Sequence, residues 1–331
     1  MRELKIGMSS VRGVVGDALT PELIVDFACA FGAWADGGTV VVGRDPRQSS
    51  TLLRAATLSG LVSRGCEVID LGVCPTPLLS FATRELGARG AISITGSHND
   101  DRWNALKFIG ADGALLNAVK SEELLDLYHA GSYGDGLRAF RQVAEPDPTD
   151  LIGRYAEHLL SSLDLDAIRR RKFRVAVDFV NGACGAVVSQ VFAELGCTLL
   201  PLNDERSRAF AHPPSPSIEN MRQLVDFVRR SDVDLGAALN VDGDRVAFVT
   251  GDGVALSEEH TLPLAAHSRL ARRPGLIVTN FSTSRLVDAV AKRHGQQVVR
   301  AAVGEGSVMD RGLEEAAVLA GEGSGLSLIH I

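Results

Sequence analysis

The chain has 331 residues, a formal net charge of −7, 45% hydrophobic residues and 23% charged residues, proportions of a soluble globular protein long enough for two or three domains. An acidic balance excludes the surplus of Lys and Arg by which nucleic acids are held, so no nucleic-acid partner is expected and an anionic ligand needs local cations. The five cysteines, Cys29, Cys66, Cys74, Cys184 and Cys197, form no CxxC pair and have no His at zinc spacing. They read as reduced core thiols. No run approaches the ~18 apolar residues of a membrane helix and the opening MRELKIG is no signal peptide, so a cytoplasmic protein without a membrane partner is expected.

In chain order, TVVVGRD from Thr39 predicts a strand, TLLRAATLSGLVSRG a helix, EVIDLGV a strand, TPLLSFATREL a helix and AISIT a strand. Runs of β-branched residues separated by segments of helical spacing give the order β-α-β-α-β. The order returns after Leu151 as RVAVDFV, GACGAVVSQVFAELG, CTLLPLN, IENMRQLVDFVRRS and VDLGAALN. After the helical SEEHTLPLAAHSRLARR it returns again as LIVTNF, STSRLVDAVAKRHG, QQVVRAAVG, SVMDRGLEEA and AVLA. The expected fold is therefore α/β: three consecutive similar layered domains around a central cleft. Their expected spans are 1–150, 151–253 and 254–325, with boundaries at the acidic EPDPTD and the hairpin-like TGDGVALSEE, and with 326–331 set apart as an atypical tail.

In each unit a polar loop follows the third strand: GSHN, VDGDR and GEGSG. Ligands in such sheets gather beyond the carboxyl ends of strands, so three loops at one position are better read as three walls of a site than as three turns. Asp242 and Asp244 flank Gly243; two carboxylates ~4 Å apart repel by about 4 kcal/mol at an effective dielectric of ~20, a penalty that a hard divalent cation removes. Oxygen ligands alone favour magnesium over zinc. A DG turn opening a hairpin is the plain alternative. Ser97 lacks the GxSxG setting of an acyl-transfer nucleophile, and can instead carry a phosphoryl group if a cation and nearby Arg and Lys stabilise the charge. GEGSG suits hydrogen bonding to sugar hydroxyls, and Arg12, in the early SSVRGVVG, can meet a phosphate. For each of these, an ordinary solvated turn is the competing reading.

Together these loops resemble the α-D-phosphohexomutase family of phosphoglucomutases and phosphomannomutases, over about Ile6 to Gly325. The family's TASHNP corresponds to Thr95, Gly96, Ser97, His98, Asn99 and Asp100, its YNGxK falls at Asn104 and Lys107, its SGxRG at Ser9 to Gly13, and its GExSG at Gly321 to Gly325. The resemblance implies reversible transfer of phosphate between positions 1 and 6 of a hexose phosphate, through a phosphoserine at Ser97 and a bound 1,6-bisphosphate. It implies Ser97, His98, Lys107 and Arg245 as catalytic residues, Arg12, Asn104, Glu322 and Ser324 as substrate-binding residues, and Mg2+ held by Ser97, Asn240, Asp242 and Asp244. Glucose 1,6-bisphosphate or an equivalent hexose bisphosphate is the implied activator, and small-molecule hexose phosphates the implied partners. The TNFSTS and VGEGS segments around Asn280 and Glu305 look closer to the branch that includes phosphoglucosamine mutases.

Three departures from the pattern matter. The family's metal loop is DxDxDR, whereas Asn240 stands here at the first aspartate, so an amide oxygen is expected to ligate without charge and to weaken metal binding. Asp100 and Asp101 follow Ser97 where the family has a proline-like position, which adds negative charge near a phosphoserine. Family members continue into a fourth domain that grips the substrate's phosphate, while this chain closes on LSLIHI; a truncated, poorly active form with an incomplete third domain is the expectation. A catalytically weak sugar-phosphate-binding protein and a metal-dependent phosphatase are the alternatives.

Overall fold

A computed structural model describes residues 4–7, 9–131, 133 and 141–329, the last four by backbone alone. The first unit contains β1 (Lys5–Ile6), β2 (Ser10–Val14), α1 (Pro21–Trp34), β3 (Thr39–Arg44), α2 (Gln48–Ser63), β4 (Glu67–Val73), α3 (Thr76–Glu85), β5 (Gly90–Ile94), β6 (Trp103–Gly110), α4 (Ala118–Ala130) and β7 (Val143–Ala144). The second contains α5 (Thr149–Leu160), α6 (Leu165–Arg171), β8 (Arg174–Asp178), α7 (Gly185–Leu195), β9 (Thr198–Leu202), α8 (Arg222–Arg230), β10 (Leu235–Leu239) and β11 (Val246–Thr250). The third contains a 3-10 turn at Glu258–His260, then α9 (Thr261–Leu270), β12 (Ile277–Asn280), α10 (Leu286–Arg293), β13 (Val298–Ala301), α11 (Glu305–Glu314), β14 (Leu319–Glu322) and β15 (Leu326–Ile329).

One four-strand plan underlies all three sheets. It appears as β4-β3-β5-β6 inside the larger first sheet, as β9-β8-β10-β11, and as β13-β12-β14-β15. In each, three parallel strands are followed by one antiparallel strand. The three predicted β-α-β-α-β units are thus present, and the loops GSHN, VDGDR and GEGSG all follow the third parallel strand. The segment 326–331, set apart in the sequence, contributes its 326–329 backbone as the antiparallel neighbour of β14; residues 330 and 331 lie outside the described residues.

Strand β3 shows why the layers form. Val40 and Val42 face a core with Phe27, Phe31, Ile92 and Leu106, while Val41 faces a second core with Leu78, Leu79, Ala91 and Ile109. Alternate side chains leave opposite faces of a strand, so an unbroken apolar run demands helices on both sides. Helix α1 begins where Thr20 Oγ1 accepts from the Leu23 N–H at 3.4 Å and Pro21 occupies the first turn. All five described cysteines are free, four of them buried. No helix among the described residues is long and apolar enough to cross a membrane.

The units meet at their loops. Thr76, at the start of α3, donates its N–H to the Asp242 carbonyl at 2.9 Å and its hydroxyl to Asp242 Oδ2 at 3.2 Å. The Val246 N–H donates to the Gly325 carbonyl at 3.2 Å, and Thr261 Oγ1 to the Val246 carbonyl at 2.6 Å. These bonds bring the three strand ends to one hollow.

Candidate active site

Ser97 lies just beyond β5 with a left-handed backbone, φ 50°, and is 2% exposed. A non-glycine residue keeps that conformation only where its surroundings fix it. The fixing group is Asp45, at the end of the neighbouring strand β3 and 1% exposed. Its Oδ1 accepts from the Arg47 N–H at 3.0 Å and Ser50 Oγ at 2.7 Å; its Oδ2 accepts from Thr95 Oγ1 at 2.8 Å, the Gly96 N–H at 3.3 Å and the Arg47 guanidinium. Arg47 Nη2 in turn donates to the Ser97 carbonyl at 3.0 Å and to that of Asn99, and Thr95 Oγ1 accepts from the Ser97 N–H at 2.8 Å. Gly96 is required because a Cβ there would stand 2.6 Å from the Trp103 carbonyl oxygen and 2.8 Å from Arg47 Cζ.

Asn104, expected to bind substrate, belongs to this scaffold. It is fully buried: its Nδ2 donates to Ser49 Oγ at 3.0 Å and Ser50 Oγ at 2.9 Å, while its Oδ1 accepts from the Ala105 N–H at 2.9 Å. With every polar atom engaged, it has nothing to offer a sugar. Asp100 departs from expectation too. Half-exposed, it pairs with Arg102 at 2.8 Å, and the Arg102 hydrogen bond holds its carboxyl below the ordinary range, so its charge is answered locally and not projected at Ser97.

The acidic loop comes to Ser97 through Asn240. Asn240 Nδ2 presents its two hydrogens to three oxygens, Ser97 Oγ at 3.1 Å, Asp242 Oδ1 at 2.8 Å and Asp244 Oδ1 at 2.6 Å. The same loop is a hairpin turn joining antiparallel β10 and β11, with Gly243 at φ 69°, so the DG-turn reading and the site reading describe one object. Asn240 Oδ1 does not face the cluster as expected of a metal ligand; it accepts from the Arg245 N–H at 3.0 Å. Reversing the amide would set its NH2 against that N–H and its oxygen against three others, so the hydrogen bonds fix its direction.

Lys107, on β6, closes the cluster. Its Nζ donates to Asp242 Oδ2 at 3.1 Å and Asp244 Oδ2 at 2.6 Å, with all three side chains buried. Burial alone would lower the Lys107 pKa, but Asp242 and Asp244 outweigh it and hold the ammonium above lysine's ordinary range. Burial, reinforced by Asp244, raises the Asp242 carboxyl; Asp244 is also pushed up by burial, but Lys107 and Arg245 overcome this and hold it at about 2. The two carboxylates therefore share charge unequally across one site. For a hard divalent cation, Ser97 Oγ, Asp242 and Asp244 form a suitable oxygen set, since all three already surround a single atom; the amide oxygen of Asn240 is not part of it.

Two arginines and a histidine have buried nitrogens with hydrogen-bonding capacity unused. Arg12 Nε, Arg245 Nε and His98 Nδ1 are buried without hydrogen-bond partners, as is Ser324 Oγ on the opposite wall. Burial, with Arg245 and Arg12, holds the His98 pKa down to about 4, leaving the imidazole neutral near pH 7. Unpaired buried donors are costly, so their gathering indicates a place for an acceptor-rich ligand. Beside them a cavity of about 400 Å³ is lined by Arg245, Glu259, Asn280, Glu322 and Ser324, among others. Glu322 Oε1 accepts from the Gly304 N–H at 3.2 Å. The structure thus brings Ser97, Lys107, Asn240, Asp242 and Asp244 into hydrogen-bonded contact, sets His98 where Arg245, Arg12, Asp244 and Lys107 act on it, and continues through Arg245 to the cavity that Glu322 and Ser324 line, while Asn104 is engaged by Ser49 and Ser50.

Sequence profiles described as phosphoglucomutase/phosphomannomutase alpha/beta/alpha domains I, II and III match residues 3–134, 153–253 and 257–330. The chain belongs to the phosphoglucomutase/phosphomannomutase family. It is 33% identical over 326 residues to a Thermococcus kodakarensis protein named phosphoglucomutase/phosphomannomutase, covering 96% of this chain and 71% of that one. It is 34% identical over 321 residues to a Methanopyrus kandleri protein named "Probable phosphoglucosamine mutase", with 96% and 70% covered. A solved phosphoglucomutase/phosphomannomutase family protein from Burkholderia thailandensis superposes with a TM-score of 0.82 at 27% identity, over 96% of this chain and 70% of that one. Within this family fold, Asp45, Arg47 and Thr76 are working residues that sequence reasoning left without a role. GRDPR carries a signal for the first two, since a charged residue at the end of a buried strand beside the loop-bearing strand has to pair inward. Glu305, noted only as part of VGEGS, begins α11 close enough for Lys107, Asp244 and Arg245 to act on its carboxyl, which burial raises above the ordinary range.

Proposed function

We propose that this chain is a phosphohexomutase, an isomerase that moves phosphate between positions 1 and 6 of a hexose phosphate with Ser97 as the carrier. The observation that carries the reading is the setting of Ser97 Oγ. It is held in a strained, buried turn, 3.1 Å from the amide that gathers Asp242 and Asp244, in a chain whose neighbouring His98 and Arg245 keep buried nitrogens without partners. Family membership and the relatives' names support the same reaction class.

In the reaction, a phosphoryl group on Ser97 Oγ passes to a free hydroxyl of the hexose phosphate. The Oγ–P bond breaks, the sugar O–P bond forms, and the hydroxyl proton leaves to a base. The bisphosphate then turns in the hollow, and its other phosphate returns to Ser97. Neutral His98 can take the proton and the Lys107 ammonium can give one. Arg12 and Arg245 stabilise charge on the transferring oxygens, while Glu322 and Ser324 read the sugar hydroxyls. Magnesium, held by Ser97, Asp242 and Asp244, would supply charge neutralisation at the transferring group. Glucose 1,6-bisphosphate, or another hexose bisphosphate, would prime Ser97. Asn104 is withdrawn from the substrate-binding set and given the role of supporting the Ser97 loop.

Incubation with glucose 1-phosphate and catalytic glucose 1,6-bisphosphate, followed by mass spectrometry of the Ser97 peptide, tests the proposal. Interconversion with exchangeable phosphate on Ser97 is expected. A permanently bare serine and tight hexose phosphate binding without turnover would favour a sugar-phosphate-binding protein, the second reading, which Asn240 in the acidic loop supports. Running glucose, mannose and glucosamine phosphates side by side identifies the sugar.

A further inference from the structure

Each carboxylate oxygen of the acidic cluster has a donor nitrogen within hydrogen-bond distance without an ion, although the two hydrogens of Asn240 Nδ2 are shared among three oxygens. Asp242 and Asp244 present four oxygens. The two Oδ2 atoms accept from Lys107 Nζ, Asp242 Oδ2 also from Thr76 Oγ1, and the two Oδ1 atoms accept from Asn240 Nδ2. The same Nδ2 donates to Ser97 Oγ, so one nitrogen occupies the point on which three prospective ligand oxygens converge. Asn240 is itself fully buried, and its far end is anchored by the Arg245 N–H. An aspartate at this position could accept from Arg245 equally well but could donate nothing inward. It would set a third carboxylate oxygen against three oxygens, a grouping that the Lys107 ammonium neutralises only in part, so a divalent cation would relieve it strongly.

We propose that in the ion-free protein the Asn240 amide stands in for the divalent cation among Ser97, Asp242 and Asp244, and that an ion enters only by turning this amide out. The cluster is then a plugged site in place of an open one. An ion at this point would compete with Lys107 for the charge of Asp242 and Asp244. Fold stability, in turn, does not depend on the ion. The inference rests on reading this hollow as a cation-assisted phosphoryl-transfer site, and its test uses binding and stability, not turnover.

Mn2+ binding to the full 331-residue chain, read by electron paramagnetic resonance of the free ion, compares the natural protein with Asn240→Asp and Asn240→Ala. Asn240→Asp is expected to bind at least about tenfold more tightly, because it adds a charged ligand and removes the plug. Asn240→Ala, which only removes the plug, is expected to bind several-fold more tightly than the natural protein. Millimolar Mg2+ should raise the melting temperature of Asn240→Asp well above its ion-free value and leave that of the natural protein nearly unchanged. An Asn240→Asp chain that folds only when Mg2+ is supplied shows the same dependence; if it folds under neither condition, the alanine variant decides. Equal affinity in the natural protein and Asn240→Ala, or a large Mg2+ stabilisation of the natural protein, overturns the proposal. The mutase reading fails by a separate route: no hexose phosphate is interconverted and Ser97 carries no phosphate, whatever the affinity for Mn2+.

Discussion

The loops after β5 and β14 hold the same place in two copies of one four-strand plan, yet they are built in opposite ways. Around Ser97 the loop backbone is tied down from within: Asp45 takes hydrogen bonds from Arg47, Ser50, Thr95 and Gly96, and Arg47 donates to the Ser97 carbonyl, while His98 Nδ1 and Arg47 Nε stay without partners. Around Ser324 the hydroxyl has no partner, and the loop faces a cavity of about 400 Å³. At Ser97 the protein spends hydrogen bonds on itself to fix the backbone that carries one hydroxyl. At Ser324 it leaves a buried hydroxyl without a partner beside the cavity. One plan therefore carries two loops that differ in what holds the serine hydroxyl: Asn240 reaches Ser97 Oγ, and Ser324 Oγ has no partner.

If this contrast is right, substitutions in the first loop should abolish chemistry or folding, and those in the other should weaken binding. The largest effect is expected for Ser97→Ala, which removes the proposed phosphoryl carrier. Interconversion should fall by at least about a thousandfold, with hexose phosphate binding retained in calorimetry. Full phosphate release by that variant would point to a metal-dependent phosphatase instead. Next comes Asp45→Ala, which strands the buried Arg47 guanidinium; a loss of roughly 3–5 kcal/mol in urea unfolding should accompany the loss of turnover. A stable and active Asp45→Ala would show that the Ser97 turn fixes itself. On the other wall, Ser324→Ala should raise KM about tenfold while changing stability by less than about 0.5 kcal/mol. An unchanged KM would remove Ser324 from the binding wall.

A smaller effect sharpens the same contrast away from the hollow. His212 Nε2 lies 2.9 Å from the buried Asp178 Oδ2. Burial lowers the His212 pKa, but the Asp178 hydrogen bond and charge outweigh it, leaving it above the ordinary histidine value. A raised folded pKa adds stability that is complete below the unfolded value of about 6.5 and is lost as pH rises through the folded one. The stability gap between the natural protein and His212→Gln should therefore be wider at pH 5.5 than at pH 8.5. The difference should not exceed about 1 kcal/mol, because the ring is partly wet. A gap that does not change with pH would mean that the imidazole is neutral throughout.

Much of the fold was legible because strand burial leaves a local mark. The runs from Thr39, Arg174 and Leu276 announced β3, β8 and β12, and the helical spacing between them announced the crossovers. The fourth, antiparallel strand of each unit was harder to read. β6 was met only as a motif carrying Asn104 and Lys107, since its polar residues belong to the site and mask its alternation. Asn104 and Asn240 were misread for one reason: an amide offers a donor and an acceptor at either end, and its direction depends on neighbours far away in the chain.

By itself the sequence determined three repeated α/β units and the position of a polar loop at the end of each third strand, because apolar periodicity is a property of neighbouring residues. Only the tertiary structure decided which way those polar groups point. Ser97 meets Asn240 across 143 positions, Lys107 meets Asp242 across 135, and Asn104 is used up on Ser49 and Ser50. Burial removes water as an alternative partner, so each donor must find its acceptor wherever the fold has brought one.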